Sequence, residues 1–174
     1  MKKTVKFVLF SIVVVCLASC QRAPMLLDDG ILYYNKGNYN LAIDNFNQAL
    51  QKDPKLIDAY LYRGNAYSRK KDYDLAMEDF NKVIQLAPKN PEAYYSRGNI
   101  YRSKGDNDKA IADYTQAIKL NPKYEEAYYA RGILYRARDD TALAIADWET
   151  VLKINPKNSS AKQSIESVTV PDTN

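Results

Sequence analysis

The chain of 174 residues contains no histidine. That removes the commonest general base and the commonest metal ligand, and it leaves every serine without an imidazole to activate it. Glycine is limited to six residues. Each lies in an expected helix or a short turn, so no glycine-rich loop is present to cradle a phosphate. An excess of one charge is also lacking. The 25 basic and 21 acidic residues nearly balance, and once Lys2, Lys3 and Lys6 of the opening segment are set aside, 22 basic residues face 21 acidic ones. A near-neutral chain has no electrostatic claim on nucleic acid as a partner. The sequence calls for no cofactor and no metal, and catalysis is not expected of it.

The opening nineteen residues differ from the rest. Lys2, Lys3 and Lys6 precede a nearly unbroken apolar run from Phe7 to Ala18, with Val13, Val14 and Val15 together. A basic start, a short apolar core and a small-residue end read as a secretory signal. The run is short for a comfortable membrane span, although a retained anchor helix is the alternative. The segment ends in Leu17-Ala18-Ser19-Cys20. This resembles the lipobox of bacterial lipoproteins, an aliphatic residue and two small ones before the cysteine that is acylated; the competing reading is a plain signal peptide ending near a cysteine.

The lipobox resemblance implies that Cys20 is the lipidation site and becomes the first residue of the mature chain, anchored to the membrane. Cys16 then leaves with the signal, so no thiol remains for a disulfide, a metal or catalysis. Only Gln21, Arg22 and Ala23 separate Cys20 from Pro24, where the first repeat can begin, and four extended residues reach roughly 14 Å. Several acyl chains make such an attachment stable where one is marginal. The resemblance further implies a bacterial envelope location. Gln21, in place of the aspartate that signals inner-membrane retention, favours the outer membrane.

The rest of the chain is built on a period. Gly30, Gly64, Gly98 and Gly132 each follow the last by 34 residues, within "DGILY", "RGNAY", "RGNIY" and "RGILY". Ala42, Ala76, Ala110 and Ala144 keep the same step, as do the aromatics Phe46, Phe80, Tyr114 and Trp148 and the closing prolines Pro54, Pro88, Pro122 and Pro156. A fixed self-similarity of this length marks a repeat array. Within a period, Asn90-Pro91-Glu92 is a helix start, with Asn as N-cap, Pro at the first helical position and an acid near the positive end of the dipole. Gly105-Asp106 breaks that helix, and Asp106 is placed to cap the next. Ala110, Ile111, Tyr114, Ala117 and Ile118 form an apolar stripe of helical period. Asn121-Pro122 ends it, since the residue before proline is pushed out of the helical region.

This pattern resembles the tetratricopeptide repeat, with an aromatic, Gly and Tyr on the first helix, Ala and an aromatic on the second, and a closing Pro. The resemblance implies an all-α fold: a right-handed solenoid of four helix-turn-helix repeats over 23–56, 57–90, 91–124 and 125–158. A short capping helix and loose tail occupy 159–174, after the signal at 1–19 and the tether at 20–23. Glycine paired with alanine, Gly64 with Ala76 and Gly98 with Ala110, supplies the small surface that lets two helices approach, while the aromatics fill gaps between successive pairs. One repeat cannot bury its apolar face alone, so stability comes from stacking. The recurring Asp79, Asp113 and Asp147, with Arg63, Arg97 and Arg131, read as structural ion pairs, since repetition along an array spreads carboxylates apart.

A second stripe on the first helices carries the functional expectation. Glu92, Tyr95, Ser96, Asn99, Arg102 and Ser103 share a face distinct from the packing face. Asp58, Leu61, Tyr62, Asn65, Ser68 and Arg69 correspond to them in the second repeat, and Glu126, Tyr129, Ala130, Ile133, Arg136 and Ala137 in the fourth. In the resembled family this face lines a concave groove for a peptide or a partner helix. Asn65 and Asn99 resemble the asparagines that hold a ligand backbone, a carboxamide being able to donate and accept at once. Tyr62, Tyr95 and Tyr129 add rigid contact area, and Arg69, Arg102 and Arg136 offer partners for acidic groups. The carboxylate clamp known in some such grooves is incomplete, because Leu61, Tyr129 and Ile133 stand where it needs basic residues. The expected role is a membrane-anchored adaptor for protein partners in envelope assembly or cell-wall maintenance. Assistance to pilus or secretin assembly, or a self-associating array forming a homo-oligomer, are the alternatives.

Overall fold

Every 34-residue period folds as two helices joined by a tight turn. The pairs are α1 (Arg22–Asn35) with α2 (Tyr39–Lys52), α3 (Ile57–Lys70) with α4 (Tyr73–Leu86), α5 (Pro91–Ser103) with α6 (Asn107–Leu120), and α7 (Glu125–Arg136) with α8 (Thr141–Ile154). A ninth helix, α9 (Ser159–Thr169), follows. The computed structural model describes residues 22–169, and among these there is no strand. The apolar run, Cys20 and residues 170–174 lie outside the described residues. The chain divides into two compact units, one ending at Ala87 and the next beginning at Pro88. The first unit holds α1–α4 and the second α5–α9.

Local chemistry sets the helix ends. Asn90 Oδ1 accepts from the Ala93 N–H at 3.0 Å, with Pro91 in the first turn, and Asn158 Oδ1 accepts from the Ala161 N–H at 2.8 Å at the start of α9. Asp106 departs from expectation. It stands at the N-cap position of α6 but makes no side-chain cap bond. Its carboxylate faces Lys109 Nζ at 3.2 Å, and Asn38, Asp72 and Asp140 at the same position of the other pairs likewise make no cap bond. The first helix also starts earlier than Pro24 suggested, at Arg22. Proline is tolerated in that first turn because the amide it lacks has no intrahelical partner there.

The turn inside each pair is a repeated left-handed residue. Gly37, Lys71, Gly105 and Asp139 have φ of 77°, 66°, 83° and 64°. The next N–H then reaches back to close the helix: Asn38 to the Tyr33 carbonyl, Asp72 to Tyr67 and Asp106 to Tyr101, each at 2.9 Å, and Asp140 to Tyr135 at 3.0 Å. This is the Schellman arrangement, which glycine adopts without strain and Lys71 and Asp139 adopt at a cost. Between pairs the chain leaves the helix in extended conformation before proline, as at Asp53 and Asn121, with φ of −135° and −133°.

The second helices supply the core. In the first unit Ala42, Phe46, Ala49 and Leu50 of α2 bury against Ala59 of α3. In the second, Ala110 and Tyr114 of α6 meet Ala130 and Leu134 of α7, and Ala144, Trp148 and Val151 of α8 meet Ala161 of α9. Ile165 and Val168 add to that last cluster, so α9 covers the end of the array with one apolar face. Lys162, Gln163, Glu166 and Ser167 are exposed on the other.

The glycines add the rings to the expected packing. A Cβ on Gly64 would stand 2.8 Å from Phe80 Cε1, and one on Gly98 would stand 2.8 Å from Tyr114 Cε1. The atoms nearest each glycine are therefore those of the ring on the second helix of its own pair. The rings serve both directions, however, since Phe46 also stacks on Tyr62 of the following pair, with centroids 6.1 Å apart. All four rings are fully buried.

Gly132→Ala is a direct probe of this contact, because its Cβ would meet Trp148 Nε1 at 2.5 Å. Overpacking of this kind costs about 1–3 kcal/mol. Urea unfolding should show the loss in midpoint, and an unchanged midpoint would remove the ring-on-glycine contact from the account.

Candidate functional site

The first helices present the stripe anticipated from sequence, with changes in register. Arg69, Arg102 and Arg136 are exposed, and Tyr62, Asn65, Tyr95, Asn99, Tyr129 and Ile133 are half-buried. Leu61, Ser96 and Ala130, assigned to the same face, are buried at 5%, 9% and 3% exposure. They lie on the edge of the stripe that turns toward the packed interior, so they are not available to a ligand. Within the first unit, Tyr62 packs edge-on against Tyr34 at 6.0 Å as well as on Phe46. The Tyr34 hydroxyl across from Arg69 holds its guanidinium above the ordinary value.

In the second unit Tyr95 contacts Tyr114 and Tyr124, at 5.7 and 5.1 Å. Tyr129 lies 6.5 Å from the Trp148 ring, and its hydroxyl meets Ser164 Oγ at 3.4 Å. These tyrosines are held by neighbouring rings before any ligand arrives, so binding to them costs little further side-chain entropy.

The two asparagines are not equivalent. The Tyr114 hydroxyl donates to Asn99 Oδ1 at 2.7 Å, and burial pushes the Tyr114 phenol far up, so it remains a donor. This bond fixes the Asn99 amide and leaves its Nδ2 hydrogens as the donors for a ligand carbonyl. At Asn65 the corresponding ring is Phe80, which has no hydroxyl. The single tyrosine in the series Phe46, Phe80, Tyr114, Trp148 was the sequence signal for this difference.

The recurring arginines and aspartates are clamps. Arg63 Nε and Nη2 donate to the two carboxylate oxygens of Asp79 at 2.9 and 2.6 Å. Arg97 does the same to Asp113, both at 2.8 Å, and Arg131 to Asp147 at 2.8 and 2.7 Å. Sequence reasoning anticipated these pairs but missed two features around them. Each guanidinium lies between two tyrosines of its own helix: Arg63 is 5.4 Å from the Tyr60 ring and 6.0 Å from Tyr67, and Arg131 is 5.7 Å from Tyr128 and 5.6 Å from Tyr135. The third donor reaches backward, Arg63 Nη1 to Asn47 Oδ1 at 2.5 Å and Arg131 Nη1 to Thr115 Oγ1 at 2.9 Å. One side chain thus ties the helix ahead to the helix behind.

The carboxylates are consequently occupied and do not converge on a common point. Among the described residues no group of His, Cys, Asp and Glu is arranged to hold a metal. Burial pushes the Asp79 carboxyl up, the Arg63 guanidinium pulls it down, and the net direction is upward. A pair of this kind fixes register more than it adds stability.

Removing Asp79 alone strands a buried guanidinium. Asp79→Ala should cost about 3 kcal/mol, whereas Arg63→Met with Asp79→Leu recovers much of the loss. Chemical denaturation of the three proteins checks the order, and a double variant as unstable as Asp79→Ala would contradict it.

The comparisons with known proteins follow this geometry. The TPR repeat model matches residues 30–71 and 98–137, and tetratricopeptide repeat models match 57–90, 80–112 and 125–158. No curated protein matches the chain in sequence. Among solved structures, MamA is 30% identical with a TM-score of 0.72, over 79% of this chain and 81% of that one. The first TPR domain of Spaghetti (RPAP3), bound to the HSP90 peptide SRMEEVD, is 28% identical with a TM-score of 0.66, over 68% of this chain and 94% of that one. PilF of Pseudomonas aeruginosa shares the fold, with a TM-score of 0.79 at 18% identity, over 87% of this chain and 69% of that one. The matched models, the relatives and the ring-on-glycine helix pairs agree: the chain belongs to the tetratricopeptide repeat family.

Proposed function

We propose that this protein is a lipid-anchored scaffold of the bacterial envelope that holds a protein partner on the exposed faces of its first helices. The repeat fold and the peptide-bound relative support a protein-interaction scaffold. The observation that carries the binding reading is the preset face itself, above all Asn99 oriented by the Tyr114 hydroxyl beside the ring-packed Tyr95. A peptide or helix laid there gains aromatic contact, an amide donor for its backbone and the exposed Arg102 and Arg136 for its acidic groups. The incomplete carboxylate clamp, with Leu61 buried and Tyr129 and Ile133 half-buried, argues for an internal segment of the partner over a free C-terminus.

Anchoring rests on the lipobox resemblance at Cys20. Among the described residues α1 is already helical at Arg22, two positions after Cys20 in sequence, which supports a short attachment. Among the described residues no helix is long and apolar enough to cross a membrane. Gln21 favours the outer membrane as the site of attachment.

Two measurements test the proposal. Crosslinking from native membranes should capture a protein partner with the wild-type chain and lose it with Asn65→Ala combined with Asn99→Ala; undiminished capture would remove this face from the function. Separately, Cys20→Ser should abolish metabolic labelling by a palmitate analogue, and persistent labelling would refute the anchor site.

A further inference from the structure

In the second unit the stripe on α5 and α7 carries opposite charges at its two ends. Glu92 and Glu126 open it near the starts of these helices, and Arg102 and Arg136 close it, all four exposed. At 1.5 Å per residue the two rims stand about 15 Å apart along the helices. An acid at the start of a helix and a base at its end complement the helix dipole. Two helices that run side by side in one direction therefore put like charge on the same rim. Contacts at both ends show that α5 and α7 do so. At the starts, Tyr95 meets Tyr124, the residue before α7, with ring centroids 5.1 Å apart. Burial raises the Tyr124 phenol, and Glu92, Tyr95 and Glu126 raise it further, so both carboxylates stand near one hydroxyl. At the ends, Arg138 pairs with Asp108 across the two turns.

The other charges close by are engaged or lie beyond the stripe. Glu125 accepts from the side chains of Asn155 and Asn158, and Asp106 faces Lys109. Lys89 and Lys123 sit in the turns before the helices, and Asp139 and Asp140 in the turn after α7.

Asn99 stands between the rims. Its Oδ1 takes the Tyr114 hydroxyl, so its Nδ2 is the donor left for a ligand carbonyl. A helical ligand has little use for that donor, because its interior carbonyls are already bonded along its own axis. An extended segment does have use for it, since its carbonyls point sideways and need partners. With one backbone edge turned to Asn99, the side chains of such a segment leave alternately in opposite directions. They then point in turn to the acidic rim and to the basic rim.

We infer that the occupant of this face is an extended internal segment of a protein partner whose side chains alternate in charge, basic toward Glu92 and Glu126 and acidic toward Arg102 and Arg136. The inference rests on the binding role proposed above for this face and adds the chemistry of what it holds. On the acidic rim the rings of Tyr95 and Tyr124 add their attraction for a cation. A segment of a single charge sign meets like charge on one rim or the other, which disfavours it.

The probe is a displayed library of random short segments, flanked at both ends, selected on the purified full chain in detergent. Enriched segments should carry bases and acids at alternate positions and should bind more weakly as salt rises. Arg102→Glu combined with Arg136→Glu, at exposed positions that leave the helical circular dichroism unchanged, should weaken one such peptide by about tenfold or more. The same peptide with its acids replaced by lysines should recover affinity for that variant. Enrichment of single-sign segments, or of segments whose like charges fall at helical spacing, would overturn the inference. So would a lysine-substituted peptide that gains nothing on the variant, or a library from which nothing is enriched. Partner capture from native membranes that depends on Asn65 and Asn99 is read separately, so the binding role can stand where the alternating pattern fails.

Discussion

The structure depends on a close approach of two helices at one point per repeat, where an aromatic ring closes on a glycine. Phe80 over Gly64 and Tyr114 over Gly98 leave no room for a methyl group. The residues just before these, Arg63 with Asp79 and Arg97 with Asp113, form the polar clamp at the same sequence separation of 16. Two adjacent rungs therefore lock each helix pair, one by shape and one by directed hydrogen bonds. A ring alone fixes how near the helices come, but it tolerates a slide along the axis. A bidentate guanidinium does not tolerate that slide. Together they define register, and register decides which side chains reach the exposed face.

Much of this was legible in the sequence because the repeat displays it four times. The 34-residue step, the helix pairs, the capping role of α9 and the Arg–Asp pairs could all be read from residue types and spacing. The contact partner of the glycine could not. Ala76 and Phe80 lie one turn apart on the same stripe, and periodicity alone does not say which of them faces Gly64. The same limit explains Leu61, Ser96 and Ala130, which sit at the margin of two faces where a few degrees of rotation decide burial. Asp106 shows a different limit: Asn38, Asp72, Asp106 and Asp140 are all residue types suited to a cap, yet none makes a side-chain cap bond, so residue type alone does not set the cap.

The candidate site shows what a repeat can conceal. Asn65 and Asn99 hold one position in the pattern, yet the ring behind each differs by a hydroxyl, and that hydroxyl orients Asn99. Tyr62 stacks on the ring of the preceding repeat, and Tyr95 packs on Tyr114 of its own. The scaffold is periodic and its surface is not. In the proposed role these departures would supply specificity for a partner, while the shared residues maintain the spacing at which they are displayed.

The clamp also has a boundary. In the first repeat the rung occupied elsewhere by Arg and Asp holds Asp29 and Asn45, and Asn45 turns to the Leu41 carbonyl of its own helix. Helix α1 is therefore latched by the ring of Phe46 over Gly30 and by apolar contact, without the directed bonds that bind every later pair. Local opening of the array begins at its least fastened edge, and here that edge is the stretch nearest Cys20. The amides of α1 accordingly form the threshold of the first unit: they are the ones expected to exchange with solvent before those of α3 and α4.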